Sequence, residues 1–230
     1  MWLLNSSIGR KLIMSLSGLF LIVFLLIHLG ANLGLLVGSE AYNAICHFMD
    51  TNPIIQVMVP ILALGFVVHI AFAFWLTLQN RKARGNDKYD SSSKTDISWA
   101  SQNMFVLGII VLGFLAMHLT HFWAKMQLQH FTGGTPITDA YGEAKMLFSS
   151  PLMSGIYIIW VCALWFHLTH GFWSAFQSVG LSNTTWIPRL KWISYIYATV
   201  VAVGFIIIPL FFLLGFGEPS VAAAACCPGN

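Results

Sequence analysis

Six of the eight histidines in this 230-residue chain, His28, His69, His118, His121, His167 and His170, stand inside long apolar stretches. Imidazole can ligate a metal, carry a proton or fill a hydrogen bond. At membrane depth an ionisable side chain is costly and normally faces the interior of a bundle with a partner. One such histidine is accounted for by a bond to a nearby Ser, Thr or carbonyl. Four separate apolar stretches that each carry at least one call for a shared explanation. The cysteines do not supply it: Cys46, Cys162, Cys226 and Cys227 form no C-x-x-C or C-x-x-C-H pattern. That spacing argues against a zinc site, an iron–sulphur cluster and a covalently attached cofactor.

The elements that must position these histidines follow from composition. The chain is 57% apolar and 8% charged, whereas soluble domains carry about 25% charge. Crossing a bilayer takes roughly 20 mainly apolar residues, and five windows qualify, at about 12–37, 53–79, 100–126, 151–178 and 190–215. The expected fold is therefore all-α, an integral membrane bundle of five transmembrane helices in one domain, 1–216. A small-residue tail, 217–230, is expected to be disordered. Pro53 and Pro151 suit first helical turns, where the missing N–H costs nothing. Pro60 and Pro209 fall inside spans, which neighbouring helices tolerate. Met1–Arg10 shows no cleavable leader pattern, so the first apolar segment is expected to remain in the mature chain.

Loop charge sets the orientation, because Lys and Arg collect on the cytoplasmic side. Arg10, Lys11, Arg81, Lys82, Arg84, Lys88, Lys94, Arg189 and Lys191 fall on one side, against Lys125 and Lys145 on the other. The N-terminus is thus expected in the cytoplasm and the C-terminus outside. The basic residues form no stripe with aromatics, so nucleic-acid binding has no support. The polar connection at about 80–99 reads as a solvated loop with room to dock a cytoplasmic partner.

Helical rise converts sequence position into depth. His28 lies about 25 Å from Lys11, and His118 about 27 Å beyond Ser101; His69 is about 18 Å from Arg81, and His167 about 20 Å from Gly180. Two depths emerge, one with His28 and His118 and the other with His69 and His167. Depth does not separate His170 from His167. Paired imidazoles at one depth suit a haem iron gripped from both faces, which is closed to substrate and fit for electron transfer. Gly18, Gly108, Gly113 and Gly171 would let a macrocycle approach the backbone, although helix packing explains such glycines equally well. Zinc fits less well, because no depth offers a third ligand, and no span centre carries the Asp or Glu usual in a proton relay.

The sequence at this point resembles the cytochrome b subunit of succinate:quinone oxidoreductases and quinol:fumarate reductases, in the five-helix, two-haem class, over about residues 10–215. The resemblance rests on SLSGLFLIVFLLIH at 15–28, AYNAICHFMDTNP at 41–53, the third-helix histidine after Gly108, and FHLTHGFWSAFQSVG at 166–180. It implies two haem b groups, one ligated by His28 and His118 and one by His69 and His167, with the fourth-helix ligand at the first histidine of its pair. His121 and His170 would then bond propionates or quinone. Propionate donors would include Ser15, Trp99 and Ser178, with Gln177 a weaker candidate. A quinone, menaquinone in this class, would react on the outer side near His47 and Asp50, with His121 and Lys125 close in depth. A flavoprotein and an iron–sulphur subunit would bind on the cytoplasmic side of a bacterial inner membrane, and the whole complex could pair as a homodimer. Some fumarate reductases of the class carry a glutamate two residues before the fourth-helix ligand. Trp165 stands there in this chain, which favours succinate oxidation with menaquinone reduction.

Two other functions share these features. One is the cytochrome b subunit of another quinone-linked dehydrogenase, acting on hydrogen or formate. The other is a transporter whose histidines bind its substrate. Low-spin haem absorption separates the transporter from both cytochromes.

Overall fold

The computed structural model describes residues 6–84 and 98–217. Lys88, Lys94, the greater part of the expected polar loop, Cys226, Cys227 and the tail from 218 onward lie outside the described residues. Among those described, the chain is helical without strands. Five helices are long and apolar enough to cross a membrane, at Ser7–Leu36, Pro53–Ala83, Met104–Trp123, Pro151–Ser178 and Trp186–Leu213. The chain is a multi-pass membrane protein.

The first span is helix α1 (Ser7–Asn32) closed by a 3-10 turn, Leu33–Leu36. It starts earlier than hydropathy suggests because the Ser6 hydroxyl accepts the Gly9 amide at 2.9 Å and caps the end. Helix α2 (Ser39–Thr51) leads to α3 (Pro53–Arg84), whose first turn is capped by the Asn52 side chain on the Ile54 amide at 2.9 Å. Pro53 occupies the first helical position, as expected, and Pro60 sits inside a continuous helix. Arg81, Lys82 and Arg84 belong to this helix and not to a loop. Arg81 gains a reason to stay helical by lying 4.9 Å over the Phe105 ring.

A short helix, α4 (Trp99–Gln102), precedes α5 (Met104–His118), so the third span begins at Met104 rather than near 100. The third span then widens into a π turn, Leu119–Trp123. Helix α6 (Gln127–Thr132) ends at Gly133, whose φ of 73° is left-handed backbone that glycine adopts without strain. Helix α7 (Ala140–Phe148) is capped by Asp139, which accepts the Gly142 amide at 2.9 Å. Helices α8 (Pro151–Ser178) and α9 (Trp186–Leu213) complete the set, the latter with Pro209 in its interior.

The chain divides into two compact units: the first is Met1–Phe24, Val59–Gly108 and Phe166–Ala198, the second Leu25–Met58, Ile109–Trp165 and Thr199–Asn230. In the first unit α8 and α9 are tied by the buried Ser194 hydroxyl, which donates to the Thr169 carbonyl at 3.0 Å. There the Tyr197 hydroxyl also donates to the Ile22 carbonyl of α1 at 2.6 Å. The second unit holds the main apolar core, built on Tyr141, Leu35, Tyr42, Phe148, Tyr157 and Phe212. Asn43 of α2 fastens α7 over this core, donating to Asp139 at 3.1 Å and accepting the Tyr141 amide at 3.0 Å.

Candidate haem-binding histidine pairs

The second unit brings His28 of α1 and His118 of α5 together, their ring centres 5.7 Å apart and their planes at 83°. Two imidazoles about 2 Å from one metal on opposite faces have nitrogens ~4 Å apart and ring centres roughly 2 Å further. The observed 5.7 Å between ring centres is close to that span. Nδ1 of His118 is buried with no hydrogen-bond partner, and buried polar atoms of this kind call for a missing group to explain them. Around the pair, Phe205 lies 5.6 Å from His28, while Phe114 and Phe122 lie 5.6 and 5.2 Å from His118. Such an apolar shell excludes water. A Cβ added at Gly113, which is exposed, would meet nothing within 4 Å.

The first unit holds the second pair differently. His69 of α3 and His167 of α8 both belong to this unit. Nδ1 of His69 is 3.4 Å from the Ser17 hydroxyl, and a Cβ at Gly18 would come within 3.3 Å of the His69 ring. Gly18 therefore gives space to a histidine directly. Gly108 stands in the same relation to His167 at a looser 3.9 Å, whereas Gly171 faces the Met104 methyl at 3.3 Å. Nδ1 of His167 is buried without a partner, and so is Nδ1 of His170. His170 packs edge-on against Trp173 at 5.1 Å. Among the described residues no group of three His, Cys, Asp or Glu could hold a metal ion. A haem iron does not need one, because the porphyrin supplies four of its six ligands.

The other site residues are scattered. Ser15 is buried, 6% exposed, on α1. Trp99 opens α4 with 59% exposure, its ring edge-on to Phe166 at 5.2 Å. Ser178 is exposed and spends its hydroxyl on the Ser174 carbonyl at 3.3 Å. His121 does not share a face with His118 in the ordinary helical way, because the π turn intervenes. Its Nδ1 is 3.0 Å from the Tyr157 hydroxyl. His47 is exposed on α2. Asp50 is engaged by the Gln127 amide and lies 3.9 Å from Nε2 of His130. Lys125 pairs with Glu143 at 2.6 Å. Trp165 donates its indole N–H to the Thr199 hydroxyl at 3.0 Å. Burial pushes the Cys46 thiol up to about 11.

Several of these contacts had a trace in the sequence. Asn32 stands four residues after His28, one helical turn on, and its Nδ2 lies 3.3 Å from the His28 Nδ1. Tyr157 carries a hydroxyl in an apolar span and needs a partner there. Ser17 lies two residues from Ser15, but nothing local singles it out. Gln127 and His130 gave no signal.

The fold and the paired imidazoles suit one class: a helical membrane protein with histidines of different spans facing each other, an arrangement a haem could occupy. No family model matches the chain, and no solved structure matches it significantly. Among curated relatives it is similar to the succinate dehydrogenase cytochrome b558 subunit of Bacillus subtilis (strain 168). The two are 28% identical over 180 residues, 78% of this chain and 81% of the relative. That relative belongs to the group the sequence resembles.

Proposed function

We infer that this chain is the cytochrome b membrane anchor of a succinate:quinone oxidoreductase. The observation that carries the reading is the His28–His118 pair, with ring centres 5.7 Å apart in an aromatic shell. The similarity to a succinate dehydrogenase cytochrome b558 subunit supports it over the wider chain. In this reading His28 and His118 hold one haem b, and His69 and His167 a second. A bound haem supplies one-electron transfer. The chain's own part is to fix the ligand rings, keep water from them with Phe114, Phe122 and Phe205, and leave no open coordination position.

Succinate chemistry belongs to a flavoprotein partner, and electrons arrive through an iron–sulphur partner on the cytoplasmic side of a bacterial inner membrane. They leave to a quinone, menaquinone, on the outer side. Quinone reduction consumes protons, so its site needs groups that exchange them. All Asp and Glu among the described residues, Glu40, Asp50, Asp139 and Glu143, fall in the second unit. This placement supports His47 and Asp50 as the groups that serve the quinone, with Gln127 and His130 holding the Asp50 carboxylate in place.

Purification of the chain from its host tests the reading. Two low-spin b-type spectra and a co-purifying flavoprotein with succinate:quinone activity are expected. A preparation without haem would leave the transporter reading. Haem together with a hydrogen- or formate-oxidising partner would leave the other cytochrome.

A further inference from the structure

We propose that Tyr157 is a positioning residue for His118, acting through the π turn that it locks to α8; the proposal rests on the haem reading of the His28–His118 pair. A π turn has poorer backbone geometry than an α-helix and is kept where its surroundings hold it. Here Leu119–Trp123 closes with the Ala124 amide donating to the Leu119 carbonyl at 2.8 Å. Tyr157 supplies the hold from outside α5. Its hydroxyl is 3.0 Å from His121 Nδ1, and the two rings stack with centres 6.0 Å apart at 21°.

Tyr157 is only 5% exposed. A buried hydroxyl without a partner costs about 1–3 kcal/mol, and His121 is the partner it finds. The link therefore holds the turn at its middle residue, while the tyrosine ring packs against Phe122 within the turn and His118 just before it. That ring lies 6.2 Å from His118, 5.3 Å from Phe114 and 6.5 Å from Phe122. The two phenylalanines flank the His118 ring. A π turn advances fewer degrees per residue than the 100° of an α-helix, and so decides where Phe122, four residues on, stands relative to His118. Tyr157 thereby controls the rotation of the His118 ring, and with it the near-perpendicular setting of the two imidazole planes at 83°.

The plane angle has a direct spectroscopic readout. Perpendicular imidazole planes leave two iron d orbitals nearly degenerate and give a strongly anisotropic low-spin signal; rotation toward parallel lowers its largest g value. The experiment is low-temperature electron paramagnetic resonance on the oxidised, purified complex carrying Tyr157→Phe, which keeps the ring and removes only the hydroxyl. Haem content should stay at the wild-type value while one of the two low-spin signals moves to a smaller largest g value or splits. The signal of the other haem should not move. His121→Leu should reproduce the change, and His121→Gln, which keeps a hydrogen-bonding group for the tyrosine, should restore much of the wild-type signal. Signals superimposable on wild type in both Tyr157→Phe and His121→Leu would overturn the proposal, as would equal movement of both signals. Absence of any low-spin signal from the wild-type complex would instead remove the haem reading beneath it.

Discussion

The two units hold their histidine pairs by different means. In the second unit the imidazoles sit in a dense aromatic shell, with Phe114, Phe122, Phe205 and Tyr157 all within ring contact of His28 or His118. In the first unit His69 is accommodated by backbone, through the missing side chain of Gly18, and by the Ser17 hydroxyl. Charge divides the same way. Arg10, Lys11, Arg81, Lys82, Arg84, Arg189 and Lys191 all belong to the first unit, which has no Asp or Glu among its described residues. Four of these cations lie over aromatic rings: Arg10 on Trp75, Arg81 on Phe105, Arg189 on Trp186 and Lys191 on Trp173. One helical scaffold thus sets two groups of histidines in unlike surroundings.

The largest expected effect is loss of one cofactor. His118→Ala should lower haem content by pyridine haemochrome from two per chain to about one, and His167→Ala should do the same while removing the other spectrum. Loss of both haems from either folded variant would break the separation of the two sites. Next comes the proposed proton-exchange pair. Asp50→Asn and His47→Ala, with both haems retained, should lower succinate:quinone turnover by roughly 10²-fold, the lower range for a general acid–base group. Wild-type turnover in both would move the quinone away from α2.

A smaller effect is expected at the glycines. Gly18→Ala places a Cβ 3.3 Å from the His69 ring, so that ring must give way by a few tenths of an ångström. One haem's midpoint potential and α-band should shift, those of the first unit. Gly171→Ala meets only the Met104 methyl, and a larger haem shift there than at Gly18 would contradict this view of the first unit. The smallest effects belong to the additional histidines. His121→Leu and His170→Leu should each keep both haems low-spin and change only midpoint potentials and signal shape, because groups beyond the ligands tune a metal without holding it. A high-spin signal in either variant would identify that histidine as a ligand.

Much of this could be read from residue order alone. Five spans, their proline starts and the histidines within them follow from hydropathy and helical rise, because a bilayer imposes one length and one periodicity on everything that crosses it. His28 and His118 were paired by counting residues, and they meet in space. Helix ends were less legible. Ser6 extends the first span, and the ring of Phe105 draws Arg81 into α3, and both depend on side-chain contacts that an average over a window does not contain.

Pairing by depth is a one-dimensional argument, confined to position along a helix. Rotation about the helix, and contacts between surface segments far apart in sequence, lie beyond it. The π turn at Leu119–Trp123 sets His121 against Tyr157, thirty-six residues away. Asp50 meets Gln127 across seventy-seven residues. The four described carboxylates come to share one unit only when the chain is folded. Hydrophobic burial and hydrogen-bonded backbone are set residue by residue and leave a mark in composition and period. The identity of a ring's neighbours is settled by packing, in which every side chain depends on several others distant in sequence.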